Sequence, residues 1–145
     1  MDDPHKLQRF VDAQDPLIDH VRAELGAGRK RSHWMWFVFP QMRGLGRSAM
    51  ARDFGIASRA EAAAYLGHPV LGPRLHECCR LLLNIEGRSA LEILGSPDDL
   101  KCRSCMTLFA AVAVDDDVFD RVLQKYFGGE RCQPTLELLS EPDGQ

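Results

Sequence analysis

Between His33 and Ser48 the chain reads HWMWFVFPQMRGLGRS, and eight positions in it can do chemistry: His33, Trp34, Trp36, Gln41, Arg43, Gly44, Gly46 and Ser48. An indole face can hold a planar ring, at about 1–3 kcal/mol for a stacked base. Arg43, the backbone amides of Gly44–Gly46 and the Ser48 hydroxyl suit a phosphate or carboxylate, since glycine lets backbone donors approach an anion closely. Gln41 and His33 can orient such a ligand or exchange a proton with it. Lys101 and Ser104, with Thr107 after them, place a cation and two hydroxyls along one helical face, turned to a pocket or to water. The same residues also have a structural reading. Aromatic side chains bury large areas and can form the plug round which helices pack. A buried indole N–H needs an acceptor, which Gln41 or His33 can supply, and Gly-Leu-Gly-Arg-Ser is also an ordinary loop and helix cap.

Other reactive patterns are thinner. Cys102-Arg-Ser-Cys105 is a C-x-x-C, but zinc needs four ligands and no second such pair exists. It falls within a helical stretch rather than opening one after a strand, so packing is the better account of these thiols. His68 and His76 with Cys78 and Cys79 have no metal-ligand spacing. No G-x-S-x-G occurs. Asp98, Asp99 and Asp115 to Asp117 read as acidic helix starts, and Arg29-Lys30-Arg31 as a solvated cap on the negative end of a helix.

The elements that must position these groups read as helices. Leu7, Phe10 and Val11 recur at helical spacing, and Asp15-Pro16 offers an N-cap and a first-turn proline ahead of Leu17, Ile18, Val21 and Leu25. Ser58 with Glu61 and Ser89 with Glu92 match the capping box. Leu71, Leu75, Cys78, Cys79, Leu82 and Leu83 keep the 3.6-residue period. Ser96-Pro97 caps another start, Gly128-Gly129 stops a helix, and Pro134 opens a last one. Trp34 to Phe39 is apolar throughout and has no strand to pair with, so it reads as a short helix or buried turn ended before Pro40. The expectation is an all-α chain of six or seven helices, a single domain over 1–145 with a frayed tail at 140–145.

Composition sets the class. A chain of 145 residues, 45% hydrophobic and 27% charged, can build a core unaided. A net charge of −3 gives no reason to expect nucleic acid. No apolar run approaches the ~20 residues that cross a bilayer and no signal peptide pattern opens the chain, so no membrane partner and a cytoplasmic location are expected. Five cysteines, an odd number, fit reduced buried thiols.

The segments KRSHWMWFVFPQMRGLGRS, AAAYLGHPVLGPRL, DDLKCRSCMTLF and FGGERCQPTLELL together resemble the mainly bacterial domain of unknown function 1810 family. The resemblance covers nearly the whole chain and implies a single multi-helical domain, with no activity or catalytic residues to carry over. The calpastatin label sometimes attached to that family does not suit this chain, because calpain inhibitors of that name resemble disordered repeats. Cys102 and Cys105 stand where the family usually has Leu and Ser, which argues against a thiol mechanism there. A fainter similarity, in helical order and in F-x-x-V-L-x-x-Y-F-G-G, is to the NADAR proteins of ADP-ribose metabolism, and it favours a nucleotide-like ligand. The resulting expectation is a monomeric protein, without cofactor, that binds a small anionic ligand at 32–48 with help from Lys101 and Ser104. The alternative is a non-catalytic module that docks a protein partner through an aromatic surface patch.

Overall fold

The computed structural model describes residues 3–141. All regular structure among them is helical, in ten helices rather than six or seven. In chain order these are α1 (Gln8–Gln14), α2 (Ile18–Gly26), α3 (Met35–Val38), α4 (Ala49–Asp53), α5 (Arg59–Gly67), α6 (Leu71–Asn84), α7 (Ala90–Leu94), α8 (Asp98–Val112), α9 (Val118–Phe127) and α10 (Gln133–Leu139). The shortest, α3, α4 and α7, run for four or five residues. So little helix carries no readable period; tertiary contacts, not amphipathic pattern, hold it. A bridge between Met42 and Ile56 is the sole strand-like pairing among the described residues.

α8 is the centre of the molecule. It packs against α5, α7, α9 and α10, and every residue from Ser104 to Phe109 is buried. α6 supports it from one side through α5 and α9, and reaches α2 on the other. The α6 face predicted from its period is the buried one, except that Leu83 at its end is only half-buried. An aromatic chain crosses the core: the Phe10 ring meets Tyr65 at 5.1 Å, Tyr65 meets Phe109 at 5.3 Å, and Phe109 meets Phe119 at 5.8 Å. Such tilted and edge-on pairs add about 0.5–1.5 kcal/mol each beyond the area they bury. Gln14, 1% exposed, ties this chain to α3 by donating to Phe37 O at 2.6 Å and to the Tyr65 hydroxyl at 3.0 Å.

Several predicted caps hold and others move. Ser89 and Glu92 form the full capping box, and Gly128 ends α9 in the left-handed conformation. Ser58 accepts from Glu61 N, but the Glu61 carboxylate turns to Ala57 N and Arg9 instead of back to Ser58. Asp15 does not cap α2; it follows α1, and its carboxylate pairs with Arg74 at 2.8 Å. Ser96 makes no cap for α8, whose N-cap residue is Pro97. The predicted tail at 140–145 lies outside the described residues beyond Glu141, whereas Ser140 N still donates to Leu136 O. No described helix is long and apolar enough to cross a membrane.

Candidate functional site

The 32–48 segment begins inside the core. Trp34 is fully buried, 6.1 Å from the Phe39 ring, and its indole N–H donates to Glu24 Oε1 at 2.9 Å. Neither Gln41 nor His33 supplies that acceptor, and a ring with no exposure offers no stacking wall. The same Glu24 oxygen accepts the Arg31 and Ser32 amides at 2.7 and 3.0 Å, and the other carboxylate oxygen takes the Ser32 hydroxyl at 2.6 Å. Burial pushes this carboxyl up, but the donors from Ser32, Arg31 and Trp34 outweigh it and hold it down at about 2. The sequence hides this acceptor because Glu24 sits on α2, seven to ten residues before the donors it collects.

A layer of alternating charge lies beside the two indoles. Lys30 Nζ stands 5.1 Å from the Trp34 ring centre and pairs with Asp98 at 2.9 Å. Its side chain is 7% exposed, so the expected solvated cap is here a buried ion pair. Lys101 Nζ stands 4.9 Å from the half-buried Trp36 ring and 3.7 Å from the same Asp98. Trp36, Gln41 and Lys101 therefore come together, with Met35 and Phe39 beneath, round a crevice of about 10 Å³. That space has room for at most a single water.

The remaining predicted residues separate. His33 is exposed. Gly44, at φ 104°, turns the chain toward α4, and a Cβ at Gly46 would meet Ala51 Cβ at 2.7 Å. Ser48 caps α4, accepting from Ala51 N at 3.1 Å. Ser104 does not share a pocket with Lys101; its hydroxyl lies 3.1 Å from Leu100 O and 3.2 Å from Cys132 Sγ. Thr107 goes with it, donating to Arg103 O and accepting the Cys132 amide.

Arg43 lies on a different and larger surface. Its amide donates to Ile56 O at 2.8 Å, and Ile56 N returns a bond to Gln41 O at 2.9 Å. This pairing sets Arg43 at the edge of a 430 Å³ cleft that Lys6, Arg9, Arg52, Asp53 and Glu61 also line. Arg9 is the rivet of that cleft. Its guanidinium bonds the carbonyls of His5, Lys6, Asp53 and Gly55 and pairs with Glu61 Oε2 at 2.8 Å. Glu61 is thereby neutralised. Lys6, Arg43 and Arg52 form no ion pair among the described residues, so cations outnumber the remaining acid, Asp53. Ser58 brings the positive end of α5 to the same cleft. Sequence reasoning found Arg43 alone, because Lys6, Arg52 and Ser58 have no recognisable spacing to it. Arg52 being nine residues on is the one signal available.

A second cleft, of 550 Å³, runs between α5, α6, α8 and α9, with mainly apolar walls. Its polar feature is His76, whose Nε2 lies 3.3 Å from Asp116 Oδ2, while Asp116 Oδ1 accepts Val118 N. It holds no lysine or arginine. An aromatic docking patch is not observed: the large apolar side chains exposed among the described residues are Leu91, Leu100 and Val114. No group of three or more His, Cys, Asp or Glu side chains converges there as metal ligands would.

The arrangement is that of an all-α protein with an interior aromatic segment and a cationic cleft on its outer side. The chain belongs to the family described as "Protein of unknown function (DUF1810)", whose model matches residues 4–139. It is similar to the conserved hypothetical protein Rv1873 from Mycobacterium tuberculosis, known as a crystal structure at 1.38 Å resolution. The two share 54% identity and a TM-score of 0.95, over 97% of this chain and 100% of the other. No curated protein matches the chain.

Proposed function

We propose that the chain binds a small anionic ligand, nucleotide- or ADP-ribose-like in class, in the cleft edged by Arg43. The observation that carries this reading is the convergence of Lys6, Arg43 and Arg52 on a 430 Å³ space without ion-pair partners among the described residues. Ligand pockets run to about 300–1,000 Å³, so a phosphorylated nucleoside or sugar fits the size. The guanidinium forks of Arg43 and Arg52 suit bidentate bonds to phosphate, and Lys6 supplies a point charge. Arg9 holds the walls in place and keeps Glu61 from repelling the ligand. The five unpaired, buried cysteines support a cytoplasmic setting, where thiols stay reduced.

The test is a thermal-shift and calorimetric panel of nucleotides, ADP-ribose and sugar phosphates. A ligand at 100 times its Kd adds about 2.7 kcal/mol of stability. Replacing Arg43 and Arg52 together by alanine removes two exposed side chains, so the melting point without ligand stays nearly unchanged. Binding then weakens by at least about tenfold, at about 1.5–3 kcal/mol for each charged hydrogen bond lost. Binding that survives the double replacement would sink the assignment to this cleft.

A further inference from the structure

The 550 Å³ cleft between α5, α6, α8 and α9 shares no lining residue with the cationic one. Leu66, Pro73, Val112 and Val114 give it apolar walls, and Val114 stays 82% exposed. Gly67 also lines it. Neither close packing nor a left-handed backbone requires glycine there, since a Cβ would meet nothing within 4 Å. The missing side chain leaves room in a space that is already of ligand size, about 300–1,000 Å³.

Asp116 is the one acidic side chain among the described residues lining this cleft, and no lysine or arginine opposes it there. Both its oxygens are held in place. Oδ1 accepts Val118 N at 3.0 Å, and Oδ2 lies 3.3 Å from His76 Nε2, with the side chain still 35% exposed. A neutral imidazole donating Nε2–H orients the carboxylate and leaves its charge intact.

The donors that would serve an anion here are already engaged. At the start of α6 the Val70 and Leu71 amides bond to His68 Nδ1 and the Gly72 amide to His68 O, while Pro73 has no amide hydrogen. Arg59 turns to Ala111 O at 3.2 Å. Exposed Asp115 and Asp117 add negative potential beside Asp116. Arg80, one turn beyond His76 on α6, lines the adjoining cleft, where Glu77 is already paired with Arg22 at 3.0 Å. A cation held at Asp116 is therefore directed into the apolar cleft and away from Arg80.

We propose that this second cleft binds a small primary amine with an apolar body, its ammonium paired with Asp116 Oδ2 and its hydrocarbon covering Leu66, Val112 and Val114. An ammonium has three donors and no acceptor, so it bonds the carboxylate while His76 keeps its own bond. An alcohol of the same skeleton gains only the apolar contact, and a carboxylate is repelled.

The experiment titrates the full chain with phenethylamine, phenethyl alcohol and hydrocinnamate and follows the protein amides by NMR. It is run at about pH 8, above the ordinary histidine value of about 6.5. The amine binds at least about tenfold more tightly than the alcohol, through its charge-assisted bond, and shifts the amides that line this cleft. Asp116→Asn keeps the oxygen that accepts Val118 N but removes the charge, and the amine's advantage shrinks to within about twofold. Gly67→Leu fills the cleft and weakens amine and alcohol alike. A carboxylate that binds as well as the amine, an advantage that survives Asp116→Asn, or no shift at the cleft with any of the three would overturn the proposal. If Gly67→Leu does not fold, the amine-to-alcohol ratio in the unsubstituted chain and in Asp116→Asn decides alone.

Discussion

The Trp34 indole N–H donates to Glu24 Oε1 at 2.9 Å, joining the interior aromatic segment to α2 by a charge-assisted bond. Glu24→Ala leaves four donors without their acceptor, so a loss of about 2–4 kcal/mol is expected, and Glu24→Gln, which keeps one carbonyl oxygen, should lose less. The pH dependence has a definite sign. The Glu24 carboxyl lies near 2 in the folded chain, against 4.5 as its ordinary value. A depressed acid contributes stability above its unfolded value and loses it as pH falls through the folded one. Urea unfolding between pH 4.5 and 2 should therefore show a fall of up to about 2 kcal/mol, after allowance for solvent screening, that is missing in Glu24→Gln.

Asp98 serves two lysines unequally. Lys30 is 2.9 Å away with a side chain 7% exposed, whereas Lys101 is 3.7 Å away and 24% exposed. Asp98→Asn strands the Lys30 charge and should cost about 1–3 kcal/mol, less than a fully buried pair because Asp98 is still partly wet. Lys101→Ala should cost under about 1 kcal/mol. Lys30→Met combined with Asp98→Asn should recover most of the loss, since the apolar stem still covers Trp34. Denaturant midpoints at constant slope measure all three.

The close approach of α5 and α6 requires Gly72. A Cβ there would lie 2.2 Å from Leu66 O, a backbone atom that cannot step aside alone. Gly72→Ala should lower stability by about 2–3 kcal/mol and shift the melting point by several degrees. Gly67→Ala meets nothing within 4 Å and should be neutral or slightly stabilising, which separates a steric effect from a general glycine effect.

The two tryptophans report separately. Trp34 has no exposed surface and Trp36 is half-buried beneath Lys101. Acrylamide should quench Trp36 and spare Trp34, so Trp36→Phe should leave emission that is blue-shifted and resistant to quencher. Equal quenching of both single-tryptophan variants would contradict the burial of Trp34.

Much of the helical frame was legible locally. The apolar face of α6, the capping box of α7, the glycine stop of α9 and the short helix before Pro40 depend on residues within a turn or two of each other. Periodicity and capping chemistry report such relations directly. The partners of the polar groups were not legible. Glu24, Gln14 and Arg9 have no motif; each acquires meaning only when helices distant in sequence are brought against it. Trp36, Gln41 and Lys101 were chosen for side-chain type and do meet, whereas Ser104, three residues from Lys101, turns to Cys132 instead.

The residue pattern by itself determined an all-α chain with reduced thiols, because backbone hydrogen bonding and apolar period are local properties. Only the tertiary structure decided that Trp34 is core, that Lys30 is buried on Asp98, and that Arg43 shares a cleft with Lys6 and Arg52. The reason is physical: burial and charge balance are set by whatever the fold places within a few ångströms, and that distance is independent of separation along the chain.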